Sequence, residues 1–89
     1  MLEMHFDFLQ LDSRIAFYRS FAEQSGAGEH FGANLDALWD ALTGEIALPA
    51  RLWLYHLPPR AERGELAAII ALLEEAACEL DGALILQPV

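Results

Sequence analysis

Hydrophobic positions near the start of the chain repeat first every second residue and then at helical spacing. The alternating residues are Met4, Phe6 and Phe8. They predict a β-strand over residues 3–11 with one strongly apolar face. A helix is predicted next, capped by Asp12 or Ser13 and ending at Gly26. The residues at helical spacing that should form its inward face are Ile15, Phe17, Tyr18 and Phe21.

The segment from His30 to Gly44 reads HFGANLDALWDALTG and predicts one short helix after a glycine-rich loop. With Asn34 as N-cap and Gly44 as the C′ residue, the helix covers about residues 35–43. Its apolar residues fall at i, i+3, i+4 and i+7: Leu35, Leu38, Trp39 and Leu42. This spacing predicts a single stripe that faces a core.

The second half of the chain predicts two strands and one long helix. Over residues 51–56, Leu52, Leu54 and His56 alternate with Trp53 and Tyr55, and a strand that is apolar on both faces in this way is typical of a covered, central strand. After a polar connection, a helix is predicted over about residues 65–80, ending before Gly82, and a third strand ends at Pro88. The residues expected to form the buried face of the long helix are Leu66, Ile69, Ile70, Leu73 and Ala77.

The element order β-α-α-β-α-β predicts a small α/β fold. Strands joined through helices pair in parallel with right-handed connections, so we expect a three-stranded parallel sheet with helices packed beside it. Residues 1–89 should form a single domain, because a chain of this length builds one small core. No apolar run approaches the ~20 residues that span a bilayer, and the acidic start is unlike a secretory signal, so we expect a cytoplasmic protein.

The charge of the chain is strongly unbalanced. Fourteen Asp and Glu residues stand against five Lys and Arg residues, for a formal net charge of −9. This charge repels nucleic acid and favours a basic protein as partner, although solubility alone also explains an acidic composition. Cys78 is the only cysteine, which excludes an internal disulfide, and we interpret it as a small buried apolar residue.

Asp36 and Asp40 lie four residues apart on the outer face of the predicted helix, with no Lys or Arg in the surrounding segment. Like charges at this spacing cost about 0.2–0.5 kcal/mol, and the helix dipole opposes Asp40 near the C-terminal end. We therefore interpret the acidic face as the receiver of a cationic partner, with Gly32 and Gly44 letting a foreign surface approach the backbone. An ordinary solvated helix face is the alternative.

These two carboxylates and His30 do not form a recognisable catalytic or metal site. Asp36 and Asp40 can reach one ion together, but His30 lies in a loop and no third fixed ligand is evident. The chain also has no glycine-rich phosphate loop and no GxSxG or HExxH pattern. We expect no enzymatic activity, no metal and no cofactor.

The stretch from the glycine through NLDALWD to LTG resembles the signature of the barstar family, intracellular inhibitors of barnase-like ribonucleases. The resemblance implies a small α/β layer fold with a short parallel sheet. It also implies that the acidic helix, residues 34–44, occludes the cationic active site of such a ribonuclease in a 1:1 complex. Asp40 would be the central anchor in place of an RNA phosphate, and Asp36 the second acidic contact.

The resemblance implies further partner-binding residues. Those that match interface positions of the family are Asn34, Trp39, Thr43, Gly44 and, through the EEA segment, Glu75. Two departures stand out, because the family's paired tyrosines are His30 and Phe31 here and its tryptophan after the closing glycine is Glu45. These three residues belong to the expected partner surface, and the cognate ribonuclease can differ from barnase. The alternative function is an acidic interaction domain that binds a different basic protein or toxin.

Overall fold

The structure is a computed structural model that describes residues 1–28 and 31–89. Three parallel strands form one sheet in the order β1-β2-β3. The strands are β1 (Leu2–Asp7), β2 (Ala50–Tyr55) and β3 (Leu84–Pro88). The predicted fold class, a three-stranded parallel sheet with helices packed beside it, is confirmed. No helix within the two described ranges is long and apolar enough to cross a membrane.

Helices fill the connections between the strands. The α-helices are α1 (Arg14–Ser25), α2 (Leu35–Asp40) and α3 (Ala67–Glu79). A π-helical turn, Ala41–Glu45, continues α2, and two 3-10 turns, Arg60–Glu62 and Gly64–Leu66, precede α3. Ser13 is the cap of α1, since its side chain accepts a hydrogen bond from the Ala16 N–H at 3.1 Å.

All the helices pack on one face of the sheet. Because the strands follow one another in sequence order, right-handed connections place both crossovers on the same side. The strand residues buried on that side are Met4, Phe6, Ala50, Leu52, Leu54 and Leu84. The prediction that β2 is covered on both faces is wrong, because Arg51, Trp53 and Tyr55 remain partly exposed on the opposite face.

The core lies between the covered face and the helices, with Phe17 of α1 at its centre. The Phe17 ring lies 4.7 Å from the Phe6 ring and 6.5 Å from the rings of Phe8 and Phe21, measured between centroids. The other helices contribute further buried residues: Leu38, Leu42, Ile69, Ile70, Leu73 and Ala76. Aromatic stacking against β1 therefore fixes α1, and aliphatic packing holds the other helical elements.

The open face of the sheet is organised by contacts among its own side chains. The indole N–H of Trp53 donates to Glu3 at 2.9 Å, and the Arg51 guanidinium lies 5.4 Å from the Trp53 ring centroid. The His5 ring stacks on Trp53, and its Nδ1 lies 2.9 Å from the Tyr55 hydroxyl. Cation–π, stacking and hydrogen-bonding contacts thus take the place of a second helical layer.

Several predicted positions are wrong. Ile15 is 69% exposed and Leu35 is 38% exposed, because both lie in the first turn of their helices, where the chain has not yet turned over the core. Cys78 is exposed rather than buried. β1 stops at Asp7, since the Asp7 carbonyl accepts hydrogen bonds from the N–H groups of the turn that follows it. His56 lies after β2 with a φ of 56° instead of within the strand.

Gln24 of α1 covers the free edge of β1. Its Oε1 accepts from the His5 N–H at 2.6 Å, and its Nε2 donates to the His5 carbonyl at 2.8 Å. Both His5 groups point away from the sheet. The N–H groups of Leu2 and Phe8 point towards β2, donating to Pro49 just before it and to Tyr55 at its end, and His5 alternates with them. The side-chain amide therefore binds the strand as the backbone of a neighbouring strand would.

We expect Gln24→Ala to lower the free energy of unfolding by about 1 kcal/mol, because it removes the two hydrogen bonds to His5 and a third to the Ser20 hydroxyl, all partly solvated. Glu23→Ala is the matched control, since it places alanine at an adjacent exposed helix position that binds no strand edge. Urea denaturation of both variants measures the difference. Equal stability of the two variants would contradict a stabilising role for the Gln24 amide.

Candidate functional site

The loop before α2 is tied to the helix by Asn34. The Asn34 Oδ1 accepts from the Ala37 N–H at 2.8 Å, and its Nδ2 donates to the Gly32 carbonyl at 3.3 Å. The predicted N-cap is therefore confirmed, and the same amide fixes the direction in which the loop enters the helix. Of the predicted surface residues, Asn34 has the most hydrogen bonds within the chain.

The backbone around this cap is closely packed and strained. Ala33 adopts a φ of 51°, a left-handed conformation that costs an L-residue about 1–2 kcal/mol. A Cβ added at Gly32 would lie 3.2 Å from the Ala37 Cβ, so Gly32 also serves the packing of the loop on α2. A Cβ added at Gly44 would meet nothing within 4 Å, which leaves that position open to an approaching surface.

Phe31 attaches the loop to the core. It is half-buried, with its ring centroid 5.2 Å from that of Phe21 and 5.8 Å from that of Tyr18. As a result, this predicted contact residue has a packing role inside the protein as well. The predicted contact residue His30 lies outside the described residues.

The end of α2 is a π-helical turn instead of the predicted glycine cap. The Ile46 N–H donates to the Ala41 carbonyl at 2.9 Å, and the Thr43 hydroxyl donates to the Trp39 carbonyl at 2.7 Å. Gly44, predicted as the C′ residue, lies inside this turn. Wider turns of this kind are frequent at functional sites, because they redirect the residues that they carry.

Six acidic side chains on α2, its π-helical turn and α3 are exposed, and four of them are predicted contact residues: Asp36, Asp40, Glu45 and Glu75. Across residues 1–28 and 31–89, the ion pairs are His56–Asp7 at 3.0 Å and Arg63–Glu74 at 3.8 Å. None of the four predicted acids has an ion-pair partner in this part of the chain. No described cationic side chain therefore neutralises them directly.

Two of these acids line one groove between α2 and α3, which we name the acidic groove. Its volume is about 410 Å³, and its lining consists of Leu35, Asp36, Trp39, Ala68, Ala71, Leu72 and Glu75. Glu74 pairs with Arg63 at 3.8 Å, whereas its neighbour Glu75 lines the acidic groove. Asp40 lies one turn further along α2 and is not part of this lining.

Sequence reasoning missed Leu35 as a candidate contact. Its spacing from Leu38 and Leu42 matched an inward stripe, yet it is 38% exposed and lines the acidic groove. Its place directly after the N-cap is the signal that could have identified it. Trp39, from the same stripe, is half-buried: it packs against the core and also lines the acidic groove.

The described histidines are engaged by neighbours on the sheet. His5 contacts the Tyr55 hydroxyl, and His56 contacts the Asp7 carboxylate. The pKa of Asp7 lies below its usual value of 3.8, first because the Leu9 N–H donates to the carboxylate and second because of the His56 hydrogen bond. Among residues 1–28 and 31–89, no group of three His, Cys, Asp or Glu side chains is placed to hold a metal ion.

A comparison with protein families extends over nearly the whole chain. The family model described as Barstar (barnase inhibitor) matches residues 1–85. The matched part contains β1 and β2, all three α-helices and the π-helical turn. The acidic groove and the four unpaired acids therefore lie within the match.

We expect Asp7→Asn to change how stability depends on pH. A carboxyl with a lowered pKa stabilises the folded state above its unfolded pKa and loses this contribution as pH falls through the folded value. The variant should be less stable than the parent at about pH 6, and the gap should close below about pH 4 as the parent is protonated. The measurement is urea denaturation of both proteins across this pH range. If their free energies of unfolding differ by the same amount at every pH, the predicted effect is absent.

We expect Trp39→Ala to lower the free energy of unfolding by about 2 kcal/mol, less than full burial would give, because Trp39 is half-buried. Leu38→Ala should cost at least as much, since Leu38 is fully buried beside it. Chemical denaturation compares the two variants. If the free energy of unfolding of Trp39→Ala equals that of the parent, Trp39 has no packing role.

Proposed function

This chain belongs to the barstar family of barnase inhibitors, and we propose that it inhibits a barnase-like ribonuclease by covering the active site with α2 and the π-helical turn. The observation that carries the proposal is the set of exposed acids without ion-pair partners. A ribonuclease binds RNA phosphates with cationic side chains. Such a cleft supplies the positive charges that this surface lacks.

Asp40 is the central anchor in this proposal. Its carboxylate is exposed where α2 continues into the π-helical turn, and it has no ion-pair partner among the described residues. Cationic donors of a ribonuclease would pair with this carboxylate and take the place of water. Because Asp40 is carried by a helix, little conformational entropy is lost when it binds. Its carboxylate would occupy the position of an RNA phosphate.

The acidic groove fits a long cationic side chain of the same ribonuclease. Trp39 and Leu72 offer an apolar surface for an aliphatic stem, and Asp36 and Glu75 lie in the same lining for the charged end. An arginine gains most there, because its planar guanidinium also stacks on an indole ring. Asp36 and Glu75 are thus the second and third acidic contacts that we propose.

The remaining surface residues position or border these acids. Asn34 and Phe31 hold the loop, and Thr43 holds the π-helical turn through the Trp39 carbonyl. Gly44 and Glu45 form the exposed rim of that turn. Glu45 adds negative charge at the rim, so a cognate ribonuclease with an extra cation there would be preferred over one without it.

Net charge makes association with a basic ribonuclease fast. A charge of −9 repels nucleic acid and attracts a cationic protein, and complementary fields raise association rates towards ~10⁸–10⁹ M⁻¹s⁻¹ at low salt. The barnase–barstar pair is itself a reference case for such rates, so the magnitude is taken from that pair. We further propose a single-domain, non-catalytic 1:1 inhibitor in the cytoplasm, a compartment in which the exposed thiol of Cys78 stays reduced.

We expect Asp40→Ala to raise the inhibition constant for barnase at least ~30-fold, which corresponds to about 2 kcal/mol, the threshold for a binding hot spot. Barnase–barstar is also a reference case for hot spots, and the threshold itself applies to protein–protein interfaces in general. Asp12→Ala removes the same charge from an exposed position outside the surface and should change the constant little. RNA cleavage titrated with each inhibitor at low and moderate salt measures both effects.

The outcomes of this titration separate the alternatives. Equal weakening by Asp40→Ala and Asp12→Ala would remove Asp40 as the anchor and reduce its role to net charge. A folded parent protein that does not inhibit barnase, but captures another basic protein through Asp40, would favour an acidic interaction domain with a different partner. Hydrolysis of RNA or metal-dependent turnover by the isolated chain would contradict a purely inhibitory role.

A further inference from the structure

A second and larger groove lies between α1, the loop before α2, and α3, and we name it the α1 groove. Its volume is about 1050 Å³, and its lining residues include Ile15, Tyr18, Ala22, Phe31, Leu35 and Ile69. The side that α1 contributes has no role in the ribonuclease contacts proposed above. The groove therefore requires a separate explanation.

Two residues on the α1 side give the groove an apolar wall. Ile15 is 69% exposed although it is fully apolar. Tyr18 lines the groove and is only 6% exposed. Burial raises the pKa of Tyr18 above its usual 10.0, with the nearby Arg14 charge opposing the shift. An apolar wall of this kind gains from contact with an apolar side chain supplied from outside.

The α1 groove is continuous with the surface proposed to bind the ribonuclease. Leu35 and Asp36 line both grooves and so form the ridge that separates them. A ribonuclease seated over Asp36 would therefore lie at the mouth of the α1 groove. The lining carries both signs of charge around an apolar centre, with acids in the majority: Arg14, Arg19, Glu23, Asp36 and Glu65. An apolar centre with a charged rim is the composition of a protein–protein interface.

We propose that the α1 groove receives an apolar side chain from the same ribonuclease. This inference rests on the proposed inhibition of a ribonuclease. A second copy of this chain is disfavoured as the occupant, because two copies with a charge of −9 repel each other. A basic ribonuclease is attracted instead, and its position over Asp36 directs it to this groove.

The test measures inhibition of barnase by variants on the α1 side. Ile15→Ser removes an exposed apolar side chain, and Ala22→Trp fills the groove; each should weaken inhibition at least about fivefold. Leu9→Ser is the matched control, because Leu9 is 71% exposed and lies outside the groove lining, and its inhibition constant should equal that of the parent.

Including Asp40→Ala in the same series separates failure of this inference from failure of the proposed function. Parent inhibition that is lost in Asp40→Ala but unchanged in Ile15→Ser and Ala22→Trp would overturn the occupied groove and leave the inhibitory function standing. A parent that does not inhibit barnase would remove both. Concentration-dependent dimerisation in sedimentation, abolished by Ile15→Ser, would assign the groove to a second copy and overturn the proposal.

The methyl signal of Ile15 provides a readout that does not depend on inhibition. If the groove is occupied, this signal should shift in the NMR spectrum when barnase is added to the parent protein. The methyl signals of Leu9 should stay in place, because Leu9 lies outside the groove lining. An unchanged Ile15 signal in the saturated complex would overturn the proposal.

Discussion

The sequential order of three parallel strands is the constraint on which the rest of this structure depends. Strands that progress in one direction across a sheet, joined by right-handed connections, leave every helix on the same face. One core therefore has to be built between a single sheet face and the helices. Phe17 is the residue around which it is packed, in contact with aromatic rings from β1 and from its own helix.

The one-sided arrangement also creates the functional surface. Since α2 and α3 have no second face to occupy, they lie next to each other, and this brings Asp36 and Glu75 into the lining of one groove. The two residues are far apart in sequence, and neither has an ion-pair partner among the described residues. The fold thus concentrates negative charge on a rigid helical surface, where binding a cationic protein costs little ordering.

Periodicity predicted the parts of the fold that packing controls. The strands and most of the buried face of α3 followed from spacing, because burial imposes a regular repeat on them. The alanine was misplaced by one residue, since Ala76 is buried and the predicted Ala77 is only half-buried. The cap at Asn34 followed from its residue type and its place before an apolar stripe. Ile15 and Leu35 were placed inward wrongly, since the first turn of a helix extends past the core that its later turns cover.

Other features of the site depend on contacts that no local pattern records. The π-helical turn breaks the repeat of 3.6 residues, so the role of Gly44 could not be predicted from spacing. The sequence did not distinguish Glu75 from Glu74 as the contact residue, whereas the ion pair of Glu74 with Arg63 does. Both grooves also join segments that are distant in sequence, which no local pattern shows. Asp36 and Asp40 were recognisable earlier, because the absence of nearby cations is visible in the sequence itself.

The amide of Gln24 has a consequence for the ways in which copies of this chain can polymerise. A sheet with β1 at one edge and β3 at the other could extend head to tail, with β3 of each molecule adding to β1 of the next. Such heterologous pairing has no end point and produces filaments. Because Gln24 already occupies the His5 peptide groups at the β1 edge, that route is blocked. Only β3 edges remain to meet each other, and their twofold pairing stops at a closed pair.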